Sequence, residues 1–425
     1  MADITLPPEI LALIFERCIP TEIQVPFTRA SKNIAPLLLG RISRTWRDIS
    51  LSTPSLWCSL RLTLDRSDAR LALLQAWLAR SGCLPLTLEL VYFHRNDGLP
   101  PDALVDILRP HAHQFKVLRL RLPGADIVRL AQWPLPLLQD LDFRWTVGTQ
   151  PPEALPLTGL FARAPALRKF TIAGGMLPAV LSHDVFPWAQ LTQITCSGYS
   201  AKQCLDILQV ASSLERCAFS GQYHTHHEQS IEPLPPHTNL RSLSFTHGWD
   251  DLEILCQAHL PELQELQFTV QPYSELQLIS IVPQHASIVK LDLSYMLFNA
   301  TPLIEYLRSL SSLVDLRVHQ MCRPVLVEFF MTLASDPQFL LKLEFLHVEC
   351  DDDRDLYPSL LKMLSEGRAF RRLKSVSVEL HVSIDTPDKQ GRSLMAALTQ
   401  EGMDINFTAG YTYGNSGWMS ILRAG

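Results

Sequence analysis

The sequence predicts an α/β solenoid, in which a curved parallel sheet is backed by outer helices and is preceded by a small all-α helical hairpin. The first observation is a recurring apolar skeleton, L-x-x-L-x-L, whose last two positions alternate as in a strand that buries one face. The second is its spacing, since successive copies from Leu138 to Leu373 begin 23 to 30 residues apart. The third is the helical spacing of apolar residues between the copies. Units of this kind must stack on their neighbours to bury a core.

Leucine is abundant throughout the chain, so a single copy of the skeleton would mean little, and the prediction depends on the number of copies. Ten copies contain all three anchors: Leu138, Leu141, Phe143; Leu167, Phe170, Ile172; Leu191, Ile194, Cys196; Leu214, Cys217, Phe219; Leu240, Leu243, Phe245; Leu263, Leu266, Phe268; Ile288, Leu291, Leu293; Leu313, Leu316, Val318; Leu343, Leu346, Val348; and Leu373, Val376, Val378. Weaker copies extend the series in both directions: Trp57, Leu60, Leu62; Leu88, Leu90; Phe115, Leu118, Leu120; and Ile405, Phe407. With about fourteen units and a period in or just above the characteristic range, the predicted fold is a leucine-rich-repeat solenoid.

The repeats are predicted to occupy residues 56–408, and residues 409–425 form a C-terminal tail. Proline residues fall between the units, where they end helices and strands. No Gly/Ser-rich linker interrupts the series, which predicts one continuous solenoid. Apolar residues at helical spacing predict helices at 201–210, 252–260 and 302–310 and within 61–83.

Composition limits the partners and the compartment. The net charge of −6 gives no basic footprint for nucleic acid. No apolar run is long enough to cross a membrane, and residues 1–5 do not resemble the start of a signal peptide. Nine cysteines, an odd number without C-x-x-C pairs, favour a reducing compartment, and we therefore expect a cytoplasmic or nuclear protein.

Two apolar helical patterns precede the repeats. The first begins at Leu6-Pro7-Pro8-Glu9, where proline fits the first turn of a helix and an acidic residue suits the helix dipole. Its apolar residues recur at helical spacing, and Pro20 is predicted to end it. The second carries Leu39, Ile42, Trp46 and Ile49 at steps of three, four and three, and it stops at Ser52-Thr53-Pro54. Together they predict a helical hairpin within residues 1–60.

This hairpin resembles the F-box, whose pattern is roughly L-P-x-E-[IL]-L-x-x-I-F, then V-C-[RK]-x-W-R-x-[IL], then L-W. The corresponding blocks here are Leu6-Pro7-Pro8-Glu9-Ile10-Leu11-Ala12-Leu13-Ile14-Phe15, Ile42-Ser43-Arg44-Thr45-Trp46-Arg47-Asp48-Ile49 and Leu56-Trp57. The runs 36–42 and 49–57 resemble a large fungal F-box-like family. Two features differ from the pattern, because Ser43 replaces the usual cysteine and residues 21–35 replace a short acidic link.

The resemblance implies a non-enzymatic substrate receptor of an SCF-type ubiquitin ligase. Residues 1–60 would dock a Skp-type adaptor and through it a cullin scaffold, and the repeats would hold a protein substrate, with no cofactor. The residues that the motif assigns to adaptor binding are Leu6, Pro7, Ile10, Leu11, Ile14, Phe15, Ile42 and Trp46. The alternative is a leucine-rich-repeat interaction scaffold without a ligase, in which the hairpin only caps the solenoid, because terminal repeats must cover an exposed core.

The sequence contains none of the common catalytic motifs: G-x-S-x-G, H-E-x-x-H, a Walker loop or G-x-G-x-x-G. His224, His226, His227 and Glu228 are close together in sequence, but a polar surface loop explains them better than a metal site. Likewise, Asp351-Asp352-Asp353 lacks the spaced oxygen ligands of a calcium loop. We therefore expect a protein that is not an enzyme and binds no metal.

With catalysis and metal binding set aside, the remaining role is recognition of a protein partner. We expect the partner to bind the face of the sheet opposite the buried anchors. Arg121 and Arg144 are predicted to lie there, where they suit an acidic or phosphorylated segment. Aromatic and histidine residues follow the middle strands, and such rings beside small polar residues are typical of interaction hot spots. The full set of predicted substrate-binding residues is Arg121, Arg144, Tyr199, Tyr223, His224, His247, Trp249, Tyr273 and Tyr295.

Overall fold

A computed structural model describes sixteen stretches of the chain: residues 6–19, 34–64, 68–92, 101–122, 133–145, 163–173, 188–220, 235–246, 251–270, 278, 287–295, 299–350, 356–366, 372–380, 389–409 and 419–423. Within these stretches the chain forms two compact units, Met1–Gly198 and Tyr199–Gly425. Each unit is built from parallel strands that pair in sequence order.

The first unit begins with the helical hairpin. Helix α1 (Pro8–Arg17) has proline at its first position, as the sequence predicts. The predicted second helix is divided in two, a 3₁₀ turn at Leu39–Arg41 and helix α2 (Arg44–Ser52). Ser43 explains the break, because its backbone is extended and its Oγ accepts the N–H of Trp46 at 3.1 Å as an N-cap. A second 3₁₀ turn, Pro54–Trp57, leads into the repeats.

Six strands follow in the first unit: β1 (Ser59–Leu64), β2 (Leu86–Tyr92), β3 (Phe115–Leu122), β4 (Asp140–Trp145), β5 (Lys169–Ala173) and β6 (Gln193–Ser197). Each pairs in parallel with the next, and the predicted anchors lie opposite one another, as in the series Leu118, Leu141, Phe170, Ile194. Helices α3 (Asp68–Arg80) and α4 (Pro101–Leu108) connect the first three strands, and 3₁₀ turns lie at Arg109–Gln114 and Trp188–Gln190. The helix predicted within 61–83 is therefore shorter, because its first residues belong to β1.

The second unit continues the same pattern. Its strands are β7 (Arg216–Ser220), β8 (Ser242–Thr246), β9 (Glu265–Val270), β10 (Lys290–Tyr295), β11 (Asp315–Met321), β12 (Phe345–Cys350), β13 (Ser375–Leu380), β14 (Asp404–Ala409) and β15 (Met419–Arg423). Strands β7 to β14 pair in parallel in sequence order. The helices are α5 (Ala201–Val210), α6 (Asp251–Gln257), α7 (Thr301–Ser309), α8 (Arg323–Ser335), α9 (Leu356–Glu366) and α10 (Lys389–Gln400).

The last strand reverses direction. Strand β15 lies within the predicted tail and pairs antiparallel with β14, with Phe407 opposite Leu422. Strand β15 thus covers the hydrogen-bonding edge of β14, which otherwise offers unpaired backbone groups to other chains.

The core follows the predicted skeleton. All thirty anchors of the ten complete copies are buried, and the most exposed, Leu373, is only 7% exposed. The strand residues between the anchors are half-buried or exposed in most copies, as in the alternating pattern of β10. These observations confirm the predicted fold class, since each unit is an α/β leucine-rich-repeat solenoid with helices connecting parallel strands.

Candidate functional site

Helix α1 has apolar residues on two faces. From Ile10 to Phe15 every residue is apolar, yet within this run only Phe15 is buried. A helix with apolar residues all round is normally covered on all sides. One face of α1 is covered by the rest of the hairpin, and the other is not.

The uncovered face has the spacing of a binding surface. The side chains of Ile10, Leu13 and Ile14, at helical positions i, i+3 and i+4, are 44%, 57% and 42% exposed, and Leu6, just before the helix, is 43% exposed. An open groove of about 570 Å³ lies on this face, and Glu16 and Arg17 complete its described lining. We call Leu6, Ile10, Leu13 and Ile14 the α1 face. Contiguous exposed apolar surface of this kind marks sites of protein association.

The residues that the F-box motif assigns to adaptor binding differ in their exposure to solvent. Leu6, Pro7, Ile10, Ile14 and Ile42 are exposed, and Leu11 and Trp46 are half-buried. Phe15 is fully buried, and its ring lies 4.8 Å from that of Trp46, so this pair holds α1 against α2. Leu13 is the most exposed apolar residue of α1, and it was missing from the predicted adaptor-binding residues because the motif does not specify that position.

The hairpin is attached to the first repeat through Trp57. This side chain is 2% exposed, and its Nε1 donates to the backbone oxygen of Ser50 at 2.8 Å. Its ring packs edge-on against Trp77 of α3 at 4.7 Å, and the guanidinium of Arg80 lies 4.7 Å from the ring centre. One residue therefore contacts the hairpin and the repeats together.

The exposed sheet face of the first unit carries ion pairs. Asp142 accepts two hydrogen bonds from Arg144, from Nε at 3.0 Å and from the terminal nitrogen at 3.1 Å, and this raises the pKa of Arg144 above its ordinary value. Arg121 lies opposite Arg144 in the β3–β4 register and is half-buried. The two predicted arginines are thus adjacent, one engaged by a carboxylate. Exposed pairs of this kind contribute little to stability.

The predicted aromatic rim differs from the structure at two positions. Tyr199 and Tyr295 are 4% and 0% exposed, contrary to the expectation of exposed rings. The hydroxyl of Tyr295 donates to the backbone oxygen of Asn299 at 2.6 Å, which stabilises its buried position. Five further predicted substrate-binding residues lie outside the described residues: Tyr223, His224, His247, Trp249 and Tyr273.

The second unit carries a charged network on the exposed face of its sheet. His319 of β11 lies between two carboxylates, with Nε2 3.2 Å from Asp292 Oδ1 of β10 and Nδ1 2.7 Å from Glu349 Oε2 of β12. A histidine ring donates from both nitrogens only when it is protonated, so the geometry requires an imidazolium. The hydrogen bonds to Asp292 and Glu349 raise the pKa of His319 to about 9.

A bulge in β11 positions this histidine. The register with β12 shifts between Val318 and Met321, so His319 and Gln320 together oppose one residue. Gln320 has a φ of 56°, in the left-handed region that a residue with a side chain rarely adopts. Bulges redirect side chains, and this one accompanies the bridge from β11 to both neighbouring strands.

A neighbouring histidine behaves in the opposite way. The His347 ring lies 5.5 Å from the His319 ring, and burial together with the charge of His319 lowers the pKa of His347. In an NMR titration we expect the His319 ring to change protonation near pH 9 and the His347 ring below pH 6.5. Removing a carboxylate by Asp292→Asn should lower the pKa of His319. Two rings that both titrate near 6.5 would contradict this network.

The same network makes stability depend on pH. Because folding raises the pKa of His319 from its ordinary 6.5 to about 9, its contribution is fully present below pH 6.5 and is lost as pH rises through about 9. The second unit should therefore become less stable on the alkaline side of neutrality.

No cluster of three or more metal-ligating side chains occurs in the described part of the chain. The histidine-rich segment at 224–228 lies outside that part, so this finding does not apply to it. The nine cysteines are not joined by disulfide bonds. No described helix is long and apolar enough to span a membrane.

The class of this protein rests on the repeats themselves, since no family model and no curated protein matches the sequence. Among solved structures, the chain is similar to the crystal structure of an internalin from Listeria monocytogenes. The two sequences are 12% identical, the alignment covers 72% of this chain and 82% of the internalin chain, and the TM-score is 0.31. The stacked strands and their buried anchors define a leucine-rich-repeat protein.

Proposed function

We propose that this protein is a non-catalytic substrate-recognition subunit of an SCF-type ubiquitin ligase. The hairpin docks a Skp-type adaptor, which connects it to a cullin scaffold, and the repeats bind a protein substrate. Transfer of ubiquitin belongs to other subunits, and no residue of this chain takes part in it.

The observation that carries the proposal is the α1 face. Ile10 and Ile14, which match the F-box motif, are exposed on a helix whose opposite side already packs on Trp46 through Phe15. An apolar helix face left open beside a completed core suits a helix-in-groove contact with a partner. The match between motif residues and exposed residues supports adaptor docking at this face.

The junction at Trp57 favours the second candidate, in which the hairpin is a cap on a leucine-rich-repeat scaffold. A cap must pack firmly on the first repeat, as Trp57 does against Trp77. A capping role alone, however, does not explain the exposed apolar residues on the outer side of the hairpin. The two candidates differ in whether the α1 face has a partner.

Capture of a purified Skp-type adaptor tests this difference. The change Ile10→Asp with Ile14→Asp places two carboxylates on the α1 face and is expected to weaken adaptor binding by at least about 100-fold, because each apolar side chain contributes about 1.5–3 kcal/mol when it is fully buried. Circular dichroism should show an unchanged fold, since both residues are exposed.

The control is Leu137→Asp, which adds one carboxylate at a leucine that is 43% exposed elsewhere in the first unit. This variant should capture the adaptor as the wild type does. Wild-type protein that binds no adaptor, or an α1 double variant that binds undiminished, would favour the capping scaffold.

Substrate binding is proposed for the exposed sheet face and its rim. In the first unit, Arg121 beside Arg144 suits an acidic or phosphorylated segment, because guanidinium groups bind carboxylate and phosphate with paired hydrogen bonds. The role of Tyr223, His224, His247, Trp249 and Tyr273 stays a prediction. Tyr199 and Tyr295 are left out of the proposed contact because their rings are buried.

A further inference from the structure

The α1 face is continued at its far end by a charged residue. Arg17 follows Ile10 by about two helical turns, roughly 10 Å along the axis, so it lies on the same side of α1. It is the last residue of the helix, and it lines the groove together with Ile10, Leu13 and Ile14. Positions i, i+3, i+4 and i+7 are those through which a helix contacts a partner. In α1 the fourth of these positions carries a cation.

Arg17 has no partner within the described residues. Its side chain is exposed, and no hydrogen bond, ion pair or ring contact joins it to any residue that the structure describes. The helix dipole favours a positive charge in the last turn of a helix, which accounts for a cation here but engages none of its five N–H donors. The guanidinium group is therefore available to a partner that reaches the end of the groove.

The acid next to it in sequence, Glu16, is engaged elsewhere. Residue 16 lies about 100° around the helix from Arg17, and its carboxylate accepts a hydrogen bond from the hydroxyl of Ser55 in the second 3₁₀ turn. Glu16 also lies near Cys58, since burial and the charge of Glu16 raise the pKa of that thiol. The carboxylate of Glu16 is thus directed to the turn that leads into the repeats, and it does not neutralise Arg17.

The apolar residues of the α1 face alone do not set the direction in which a partner lies along the helix. The hydrophobic effect is non-directional, so Ile10, Leu13 and Ile14 are compatible with more than one arrangement of an apolar partner surface. A charge at one end of the series removes this ambiguity, because the partner must present the opposite charge at the same end. Complementary charges at an interface fix its register and speed association more than they add affinity.

We propose that the adaptor surface that covers the α1 face ends in a carboxylate, from aspartate or glutamate, that pairs with Arg17. The apolar part of that surface covers Ile10 and its apolar neighbours, and the carboxylate accepts paired hydrogen bonds from the guanidinium group. Arg17 then determines the direction of the adaptor along α1. This inference deepens the adaptor docking proposed above and rests on it.

Biolayer interferometry of the full chain with a purified Skp-type adaptor, at low and high salt, tests this inference. Arg17→Gln removes the charge and should weaken binding at about 0.1 M salt by at least about threefold, mainly by slowing association. At about 1 M salt, where the screening length falls to about 3 Å, the difference from the wild type should disappear. Arg17→Glu places a second carboxylate against that of the adaptor and should bind more weakly than Arg17→Gln at low salt.

Two control variants separate this contact from other effects of charge. Arg17→Lys keeps the positive charge, and with it the favourable interaction with the helix dipole, and should retain most of the affinity. Arg109→Gln removes an exposed cation from a 3₁₀ turn elsewhere in the first unit and should bind as the wild type does at both salt concentrations. Circular dichroism verifies that each variant is folded.

The inference is overturned if Arg17→Gln binds as the wild type does at low salt, if its defect persists at high salt, or if Arg109→Gln weakens binding equally. Any of these results, with capture still lost in the Ile10→Asp, Ile14→Asp variant, leaves the proposed adaptor docking standing. A wild type that binds no adaptor rejects the docking and this inference together. A dimer of the free chain in light scattering that the same double variant separates would assign the groove to a second copy instead.

Discussion

A Leu243→Asp variant is expected to lose cooperative folding of the Tyr199–Gly425 unit. Leu243 of β8 is 1% exposed, and in the parallel register it lies between Cys217 and Leu266, which are anchors of the neighbouring repeats. A carboxylate at this position would be buried among these apolar anchors. Burying it costs several kcal/mol, a large part of the total stability of about 5–15 kcal/mol that is typical of proteins.

The effect should spread beyond one strand because stacked repeats derive stability from their neighbours. Urea unfolding followed by circular dichroism measures it. The matched control is Thr246→Asp, which places the same charge on the same strand but on the half-exposed face. We expect this control to unfold within about 0.5 kcal/mol of the wild type. Equal stability of the two variants would contradict the assignment of the skeleton to the core.

The strand skeleton was predictable because it depends on a local rule repeated many times. Alternation of side chains is a property of the extended backbone, and the shared core of a stack requires the same anchors in every unit. The same rule would have identified Tyr295 as buried, since it continues the alternation of Leu291 and Leu293. The sequence interpretation assigned Tyr295 to the rim because it lies at the end of the strand.

Tyr199 shows where the rule fails. Alternation after the buried Cys196 would place residue 199 on the exposed face of the sheet. Gly198, with a φ of 82°, breaks this alternation, and the ring of Tyr199 is buried instead. In the hairpin, the break between the 3₁₀ turn and α2 depends on one side-chain bond from Ser43. A single capping interaction has a weak sequence signal, because serine is common in helices and loops alike.

The charge network around His319 could not be predicted from the sequence. Its three members, Asp292, His319 and Glu349, come from three strands, and each faces outward as alternation predicts. Their contact, however, depends on strand register and on the bulge after Val318, which are tertiary properties. The F-box motif includes both Ile10 and Phe15. That Ile10 is exposed and Phe15 is buried depends on how the helices of the hairpin pack, which is also a tertiary property.

A Trp57→Ala variant is expected to destabilise the Met1–Gly198 unit by about 3–5 kcal/mol, the usual cost of removing a buried tryptophan. The ring is 2% exposed and contacts both sides of the junction, with Ser50 in the hairpin and Trp77 in α3. Its loss leaves a cavity at the junction and an unpaired backbone oxygen at the end of α2. The hairpin should then exchange amide hydrogens faster than the repeats do.

Urea unfolding combined with hydrogen exchange distinguishes this role from a general loss of core volume. Trp57→Phe retains a large ring at the junction and should preserve most of the stability. Leu120→Ala, which removes a buried anchor of β3 instead, should lower stability while leaving the hairpin no more dynamic than the repeats. If Trp57→Ala left the exchange of α1 and α2 unchanged relative to the strands, Trp57 would be an ordinary core residue. Faster exchange in α1 and α2 alone would show that Trp57 holds the α1 face in a fixed orientation on the first repeat.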